Sequence, residues 1–267
     1  MTRISGGEPF LIEDCFCCYR DGWVIVVAYP LAPDFAIKEI QSVLEKVKKK
    51  FHPVYVSLMA PEIPQSIAAS CREREIDHYY TLDIHNLTLK GGLKRTIHKA
   101  KENLHVERSR RFREEHRQLG LEFVERAKPS ERVKTLLFKI PAFVDQSEGA
   151  VLLNALDKKG RLAAFYVVDL APKDFSTYVI GCHSKKNYVS GASDLLCFEM
   201  INLSKAHKKK YIHLGFGVNQ GIRQFKKKWG GRPTRRYEMC EIVVRKLSIL
   251  ERLRMGGIAR MGTNNVP

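Results

Sequence analysis

Residues 175–231, FSTYVIGCHSKKNYVSGASDLLCFEMINLSKAHKKKYIHLGFGVNQGIRQFKKKWGG, decide the fold of this chain. The β-branched and aromatic residues at 176–182 predict a strand, and the apolar spacing from Leu195 predicts an amphipathic helix. A second strand is expected at 211–217, followed by a basic helix at 224–229 that stops at Gly230-Gly231. The segment therefore alternates strand, helix, strand and helix, which is typical of a mixed α/β domain.

The turn between the first strand and the first helix consists of small residues. Ser190 to Asp194 read SGASD, and the end of this run is suited to cap a helix. A small-residue turn at a helix N-terminus leaves backbone N–H groups free to point at an anion, with the helix dipole behind them. Gly191, Ala192 and Ser193 are therefore candidate ligands of a phosphate-bearing donor, the alternative being an ordinary loop and N-cap.

The charge of the chain favours a phosphate-rich partner. Its 267 residues suffice for one large domain or two small ones, and 46 Lys and Arg against 29 Asp and Glu give a net charge of +17. A surplus of this size favours nucleic acid, nucleotide-like cofactors or anionic membranes without choosing among them. A protein that is merely basic remains an alternative.

The termini and the cysteines bear on location. No apolar run is long enough to cross a bilayer, and the first residues lack the apolar core of a signal peptide. Seven cysteines is an odd number, which without an export signal predicts free thiols in a reducing cytoplasm. We therefore expect a cytoplasmic protein.

The preceding sequence repeats a similar pattern. A hairpin is predicted around Asp21-Gly22, then a helix from a cap at Asp34 to about Lys50, a strand at 54–59, a short helix at 65–75 and a strand at 78–84. Gly91-Gly92 marks a joint before a basic helix, a short strand at 105–109, a helix at 112–127 and a second hairpin over 151–170. Both halves begin with a hairpin and then alternate helix and strand.

Five segments carry a family resemblance: LKRTIHKAKENLHVE (93–107), GRLAAFYVVDL (160–170), SGASDLLCFEMI (190–201), YIHLGFG (211–217) and IRQFKKKWGG (222–231). Their order resembles the GNAT acyltransferase superfamily, and within it the branch of Fem-type peptidyltransferases and their acetyltransferase-like relatives. The FK-x-x-x-GG segment is the most specific piece. The usual GNAT pyrophosphate signature is present only loosely, at 187–192.

The resemblance implies an α+β fold of mixed, mostly antiparallel sheets flanked by helices. It implies two tandem GNAT-like halves: a degenerate half at 1–90, a catalytic half at 91–246 and a tail at 247–267. It also implies an N-acyltransferase that moves an acyl group from an activated donor to an amine by direct aminolysis. The donor would be acyl-CoA or aminoacyl-tRNA, and no metal is implied.

Three basic residues are candidates for contact with the donor. Lys226 matches the lysine of the family's FK segment, which lies near the donor phosphates and the reacting carbonyl; a solvated helix face is the alternative. Arg95 and Lys99 are one helical turn apart and can face a phosphate chain together. Acidic neighbours such as Glu102 make a self-paired surface the alternative for these two.

Two further residues are candidates for the chemistry. His183 follows the predicted strand and could act as general base, because its ordinary pKa is near neutral. Tyr178 could donate a hydrogen bond to the leaving atom. A structural role is the alternative for both, and such a histidine is more often a polar residue at the end of a strand. His213 and Glu199 are weaker candidates, and Cys15, Cys17 and Cys18 lack the spacing of a zinc site.

Two other functions stay open. One is an RNA- or anion-binding module that kept the fold and lost turnover. The other is a lipid-modifying acyltransferase at a membrane surface, for which the tail at 247–261 would provide a peripheral contact because it alternates apolar and basic residues.

Overall fold

A computed structural model describes residues 6–29, 39–129 and 131–246, and divides the chain into two compact units. The first unit contains the described residues up to His78 and those from Arg235 onward, and the second comprises Tyr79–Thr234. The domain limits expected from the sequence, at 90 and 246, stay a prediction. The helix cap at Asp34 and the membrane-binding tail lie outside the described residues.

The first unit is a mixed sheet with helices between its strands. Its strands run in the spatial order β1, β2, β3, β4, β11 and β5. The elements are β1 (Glu8–Ile12), β2 (Cys15–Arg20), β3 (Trp23–Val27), α1 (Ile40–Phe51), β4 (Tyr55–Ala60), α2 (Gln65–Ala68), β5 (Cys71–Asp83) and β11 (Arg232–Val243). The hairpin predicted around Asp21-Gly22 is confirmed, with Arg20 opposite Trp23.

Strand β5 corrects two expectations. The helix predicted at 65–75 ends at Ala68, because the chain pairs as a strand from Cys71 onward. Cys71 forms a disulfide with Cys240 of β11, their Cα atoms being 5.4 Å apart. The prediction that all seven cysteines are free is therefore wrong for these two, since the residues are 169 positions apart in sequence and only the strand arrangement brings them together.

The second unit is a sheet with the spatial order β5, β10, β9, β8, β7 and β6. All its described pairings are antiparallel except that of β9 with β10. The elements are α3 (Gly91–Asn103), β6 (Leu104–Ser109), α4 (Glu114–Ala127), α5 (Glu131–Gln146), β7 (Ala150–Asp157), β8 (Leu162–Asp169), β9 (Phe175–His183), α6 (Ala192–Ala206), β10 (Tyr211–Phe216) and α7 (Gln220–Lys228).

Helix α6 is held in the core of the second unit. Its buried leucines, among them Leu195, Leu196 and Leu203, pack with Ile212 and Leu214 of β10. Each such side chain contributes about 1.5–3 kcal/mol when fully buried. This packing fixes the N-terminus of α6 beyond the end of β9. None of the helices that the described residues form is both long enough and apolar enough to cross a membrane.

Candidate functional site

The parallel strands β9 and β10 pair along only part of their length. Their register joins Tyr211 to Phe175, Ile212 to Ser176 and His213 to Thr177, and goes no further. Beyond this point β9 continues along β8 to His183, while β10 continues to Phe216 beside β5. The two strands therefore diverge, and a gap opens in the sheet at His213 and Thr177.

A β-bulge on β9 lies where the gap begins. Tyr178 pairs with Val168 and Ile180 with Val167, so Val179 has no Cα partner in the register with β8. Val179 also lies beyond the last pair with β10. Bulges turn backbone groups out of the ladder and occur frequently beside active sites. The backbone of Val179 is thus placed to meet a group bound in the gap.

Lys226 of α7 lies at the diverging part of β10. Its side chain is buried, and its ammonium donates to the carbonyl of Leu214 at 2.5 Å and to that of Phe216. The same ammonium lies 5.4 Å from the centre of the Tyr80 ring. The structure thus places Lys226 at the gap, as a buried cation that binds the strand backbone, and its catalytic role stays a prediction.

His213 is the last residue of β10 that pairs with β9. The backbone N–H of Gly215 donates to its Nδ1 at 3.3 Å, so the proton of the neutral ring is on Nε2. The rings of Tyr79 and Phe175 lie 5.1 and 6.4 Å from the imidazole. Burial lowers the pKa of His213 from its ordinary value, and the charge of Lys226 lowers it further. His213 is therefore disposed to be a neutral base at the edge of the gap.

His213 should make the stability of the protein depend on pH. Because the unfolded chain binds this proton more readily, the stabilising contribution is fully present above about pH 6.5 and is lost as the pH falls through the lowered pKa. An NMR titration of the His213 ring should give a midpoint below that of a histidine in a model peptide. A midpoint at or above the peptide value would contradict this account.

Tyr178 lies in an aromatic pair beneath the donor turn. Its ring contacts that of Tyr166 of β8, with 4.9 Å between centroids, and the Tyr166 hydroxyl donates to the carbonyl of Ser193 at 3.1 Å. Burial raises the pKa of both phenols, so both are protonated donors at neutral pH. Tyr178 and Ser193, both predicted from the sequence, are thus connected through Tyr166.

The donor turn differs in detail from the prediction. Helix α6 begins at Ala192, and its N-cap is Gly191, which has φ of 80° and contributes no side-chain cap. Ser193 and Asp194 belong to the first helical turn rather than to the loop before it. The left-handed conformation of Gly191 starts the helix earlier than the capping pattern indicates, because glycine alone adopts it without strain.

Helix α3 packs directly against this turn. A Cβ on Gly191 would lie 3.1 Å from that of Ala100 and 3.2 Å from Thr96 Cγ2. Arg95 and Lys99 directly precede these two residues on α3, and both are exposed. Arg95 and Lys99 therefore lie on the helix that packs against Gly191, each one position before a residue that contacts it. Two cations next to a helix N-terminus favour a bound anion.

Asp194 joins the ends of two helices. Its Oδ1 accepts a hydrogen bond from Trp229 Nε1 at 3.0 Å and lies 2.5 Å from the ammonium of Lys228. The carboxylate is thus neutralised within the protein. Asp194 therefore anchors the end of α7 to the start of α6 and does not oppose a phosphate at the donor turn.

His183 lies away from the gap residues along β9. It is the last residue of that strand, and Ser184 and Lys185 after it bond to Glu122 of α4. Burial lowers the pKa of His183, and the charge of Arg126 lowers it further. His183 thus borders the loop that precedes the donor turn, whereas His213 lies at the gap itself.

Sequence reasoning did not single out Val179, Tyr166 or Thr96, and it gave His213 less weight than His183. A bulge is a property of strand register, and no local residue pattern marks Val179. Glu199 of α6, the other weak candidate, forms an ion pair with Lys101 of α3, with 3.8 Å between the charged atoms. Within the described part of the chain, no three His, Cys, Asp or Glu side chains gather as they would around a metal ion.

No protein-family model matches this sequence, and no curated protein matches it either. Solved structures do share its fold. L-PGS from Bacillus licheniformis superposes with a TM-score of 0.58 at 16% identity, over 97% of this chain and 90% of that one. FemX superposes with a TM-score of 0.56 at 10% identity, over 89% of each chain.

A tandem GNAT protein from the clavulanic acid biosynthesis pathway also superposes, with a TM-score of 0.55 at 11% identity. The match covers 88% of this chain and 79% of that one. The predicted fold is confirmed: the chain has a GNAT-like α+β fold that it shares with tandem GNAT and Fem-type proteins.

Proposed function

We propose that this chain is an acyltransferase that moves an acyl or aminoacyl group from a phosphate-bearing donor to an amine by direct aminolysis. One observation carries the proposal: the gap between β9 and β10 opens at a backbone bulge, beside a buried lysine and a histidine of lowered pKa. The GNAT-like fold supports it, because a neighbour of the same fold, a GCN5-related N-acetyltransferase from Kribbella flavida, is a transferase by name.

In this proposal the donor carbonyl binds in the gap. The backbone N–H of Val179 donates to the oxygen that becomes negative as the amine attacks, which is the interaction that most stabilises such a transition state. Lys226 holds the Leu214 and Phe216 carbonyls of the opposite strand and so keeps the gap open. Neutral His213 accepts the proton of the attacking amine at Nδ1, which gives up the hydrogen bond from the Gly215 N–H as it does so.

Collapse of the tetrahedral intermediate expels the donor's oxygen or sulfur. Tyr178 is protonated because burial raises its pKa, and it donates a hydrogen bond to this leaving atom. The new bond joins the acceptor nitrogen to the acyl carbon, and the bond that breaks joins that carbon to the donor. No covalent intermediate with the protein is needed. His183 is the alternative base, for an acceptor that enters from the end of β9.

The donor's phosphates are assigned to the N-terminus of α6. The backbone N–H of Ser193 would face them, whereas that of Ala192 donates to the Val189 carbonyl at 3.3 Å and would have to exchange this bond for a phosphate oxygen. Arg95 and Lys99 would reach the phosphates from α3, which packs against Gly191. Between the two donors we favour aminoacyl-tRNA over acyl-CoA, because a net charge of +17 suits a polyanion better than one nucleotide. A tRNA donor would also place the protein in the cytoplasm.

A lipid-modifying activity is the second candidate. The likeness to the C-terminal domain of a putative lysylphosphatidylglycerol synthetase from Agrobacterium fabrum spans 99% of this chain, and the name of that protein describes the attachment of lysine to a phospholipid. On this alternative the same gap would transfer an aminoacyl group to a lipid head group. Assays that supply charged tRNA with either free amines or anionic lipid vesicles separate the two acceptors.

Removing both cations of α3 should weaken donor binding. We expect the double variant Arg95→Ala, Lys99→Ala to lower tRNA affinity about 10-fold. The slope of log affinity against log salt concentration should fall in magnitude by about 1–2, since each phosphate contact contributes about one. Lys158→Ala, Lys159→Ala is the matched control, because it removes two exposed charges from the β7–β8 turn.

The measurement is a thermal-shift and filter-binding series with charged tRNA, uncharged tRNA and a panel of acyl-CoAs. Stabilisation by acyl-CoA alone would reassign the donor and keep the transferase. Equal losses in the two double variants would remove α3 from the site. Donor binding without any transfer to an amine or a lipid would identify the non-catalytic RNA- or anion-binding module.

A further inference from the structure

A second basic depression lies at the opposite end of α6 from the donor turn. It has a volume of about 300 Å³ and is lined by Arg108, Ser109, Arg110, Val151, Leu203 and His207. Three of these six side chains are basic and none is acidic. Val151 and Leu203 form an apolar floor that belongs to the core of the second unit. The combination suits an anion that carries an apolar group.

Arg108 is a charged residue on the face of β6 that is otherwise apolar. Leu104 and Val106 of β6 face the core beneath α6, and Arg108 is the next residue on that face. An arginine in an apolar series keeps its stem on the apolar surface and its guanidinium at the rim. Arg110 follows the strand, and its Nη2 donates to the carbonyl of Ser147 at 3.1 Å. That bond fixes one edge of the Arg110 guanidinium, and among the described residues its other donors have no acceptor.

A neighbouring depression of similar size lacks this chemistry. It is about 340 Å³ in volume and lies along the same side of α6, between Leu195 and Leu104. Its lysine, Lys101, lies 3.8 Å from the carboxylate of Glu199. That cation is already balanced by an acid of the same depression, so the first depression is the one that favours an anion.

This depression is distinct from the proposed donor site. Helix α6 runs for 15 residues from Ala192 to Ala206, a length of about 22 Å at 1.5 Å per residue. Gly191 caps its first end, and His207 caps its second. One phosphate group cannot contact both ends. The carbonyls at the C-terminal end disfavour an anion, so the arginines must supply the attraction.

We propose that this depression is a binding site for a phosphate ester with a short apolar group, held by Arg108 and Arg110 with His207 beside them. The guanidinium groups bind the phosphate oxygens in pairs, and the apolar group covers Val151 and Leu203. The ligand's source is a lipid head group at a membrane surface or a soluble phosphate ester.

The test measures by calorimetry the affinity of the full chain for three compounds: hexyl phosphate, inorganic phosphate and an uncharged hexyl glucoside. Hexyl phosphate should bind saturably and at least 10-fold more tightly than inorganic phosphate, and the glucoside should not bind. The double variant Arg108→Ala, Arg110→Gln should weaken hexyl phosphate at least 10-fold. Lys158→Ala, Lys159→Ala should leave its affinity unchanged.

Flotation with vesicles of anionic lipid then distinguishes the two sources. Vesicle binding that falls in the arginine variant identifies a lipid phosphate, and hexyl phosphate binding with unchanged flotation identifies a soluble ester. Equal affinity for hexyl phosphate in the parent and the arginine variant overturns the proposal. The proposal is also overturned if neither the parent nor the arginine variant binds hexyl phosphate and the variant has lost tRNA binding. The two arginines would then belong to the tRNA site. None of these measurements depends on transfer activity.

Discussion

Replacing Trp229 by alanine is expected to lower the free energy of unfolding by about 3–5 kcal/mol. Trp229 is 1% exposed and is among the largest fully buried side chains of the described residues. Its indole N–H also donates to Asp194 at 3.0 Å, so truncation removes a hydrogen bond as well as packing. The end of α7 would lose its anchor at the start of α6, and donor affinity should fall with stability.

Trp23 provides the matched control. It is half-buried in the first unit, where its indole N–H donates to Ser57 at 2.9 Å. Trp23→Ala makes the same truncation with less burial, so its cost should be smaller. Unfolding by denaturant should be monitored by far-UV circular dichroism, because each variant lacks a tryptophan and fluorescence would not be comparable. A larger loss for Trp23→Ala than for Trp229→Ala would contradict the assigned role.

Lys226→Met should slow transfer about 100-fold. Without its ammonium the gap changes shape, and the Val179 N–H no longer meets the oxyanion; the loss of one such donor typically has an effect of this size. It should also lower the free energy of unfolding by about 1–3 kcal/mol, because the buried carbonyls of Leu214 and Phe216 lose their charged donor. Methionine has a similar length and fills most of the space. The effect should therefore report the missing ammonium rather than a cavity.

A pH readout separates a site role of Lys226 from simple destabilisation. Loss of its charge should raise the pKa of His213 toward the ordinary value, because that charge contributes to the lowering. Lys227→Met is the matched control, since Lys227 is the next residue of α7 and is exposed. If both variants shift the His213 titration and the transfer rate equally, the gap does not depend on Lys226.

Much of the second unit was predictable because its signals are local. The β-branched run of β9, the apolar residues of α6 and the glycines after α7 each act within a few residues, and the structure places these elements accordingly. The amphipathic face predicted for α6 is wrong, because this helix has no exposed residue from Ala192 to Ser204. Prediction was poorest at β5, where the charged run CREREID gives no apolar alternation. Long-range pairing, not local preference, decides that the segment is a strand.

Some residues of the candidate site could be predicted from local sequence, and others depend on strand pairing. Gly191, Ala192 and Ser193 were found from composition, because a turn of small residues before a helix is itself the signal. Val179 could not be found, since the bulge exists only relative to β8 and β10. The partner atoms of Lys226 were equally hidden, because two strand carbonyls become its acceptors only after β10 departs from β9.

The sequence by itself determined the order of strands and helices, the excess of positive charge, the small-residue turn and the resemblance to GNAT proteins, because each is written in neighbouring residues. Only the tertiary structure decided where β9 and β10 part, which backbone faces the gap, that His213 rather than His183 lies there, and that Cys71 meets Cys240. These are relations between residues far apart in the chain, and packing and strand register alone bring them together.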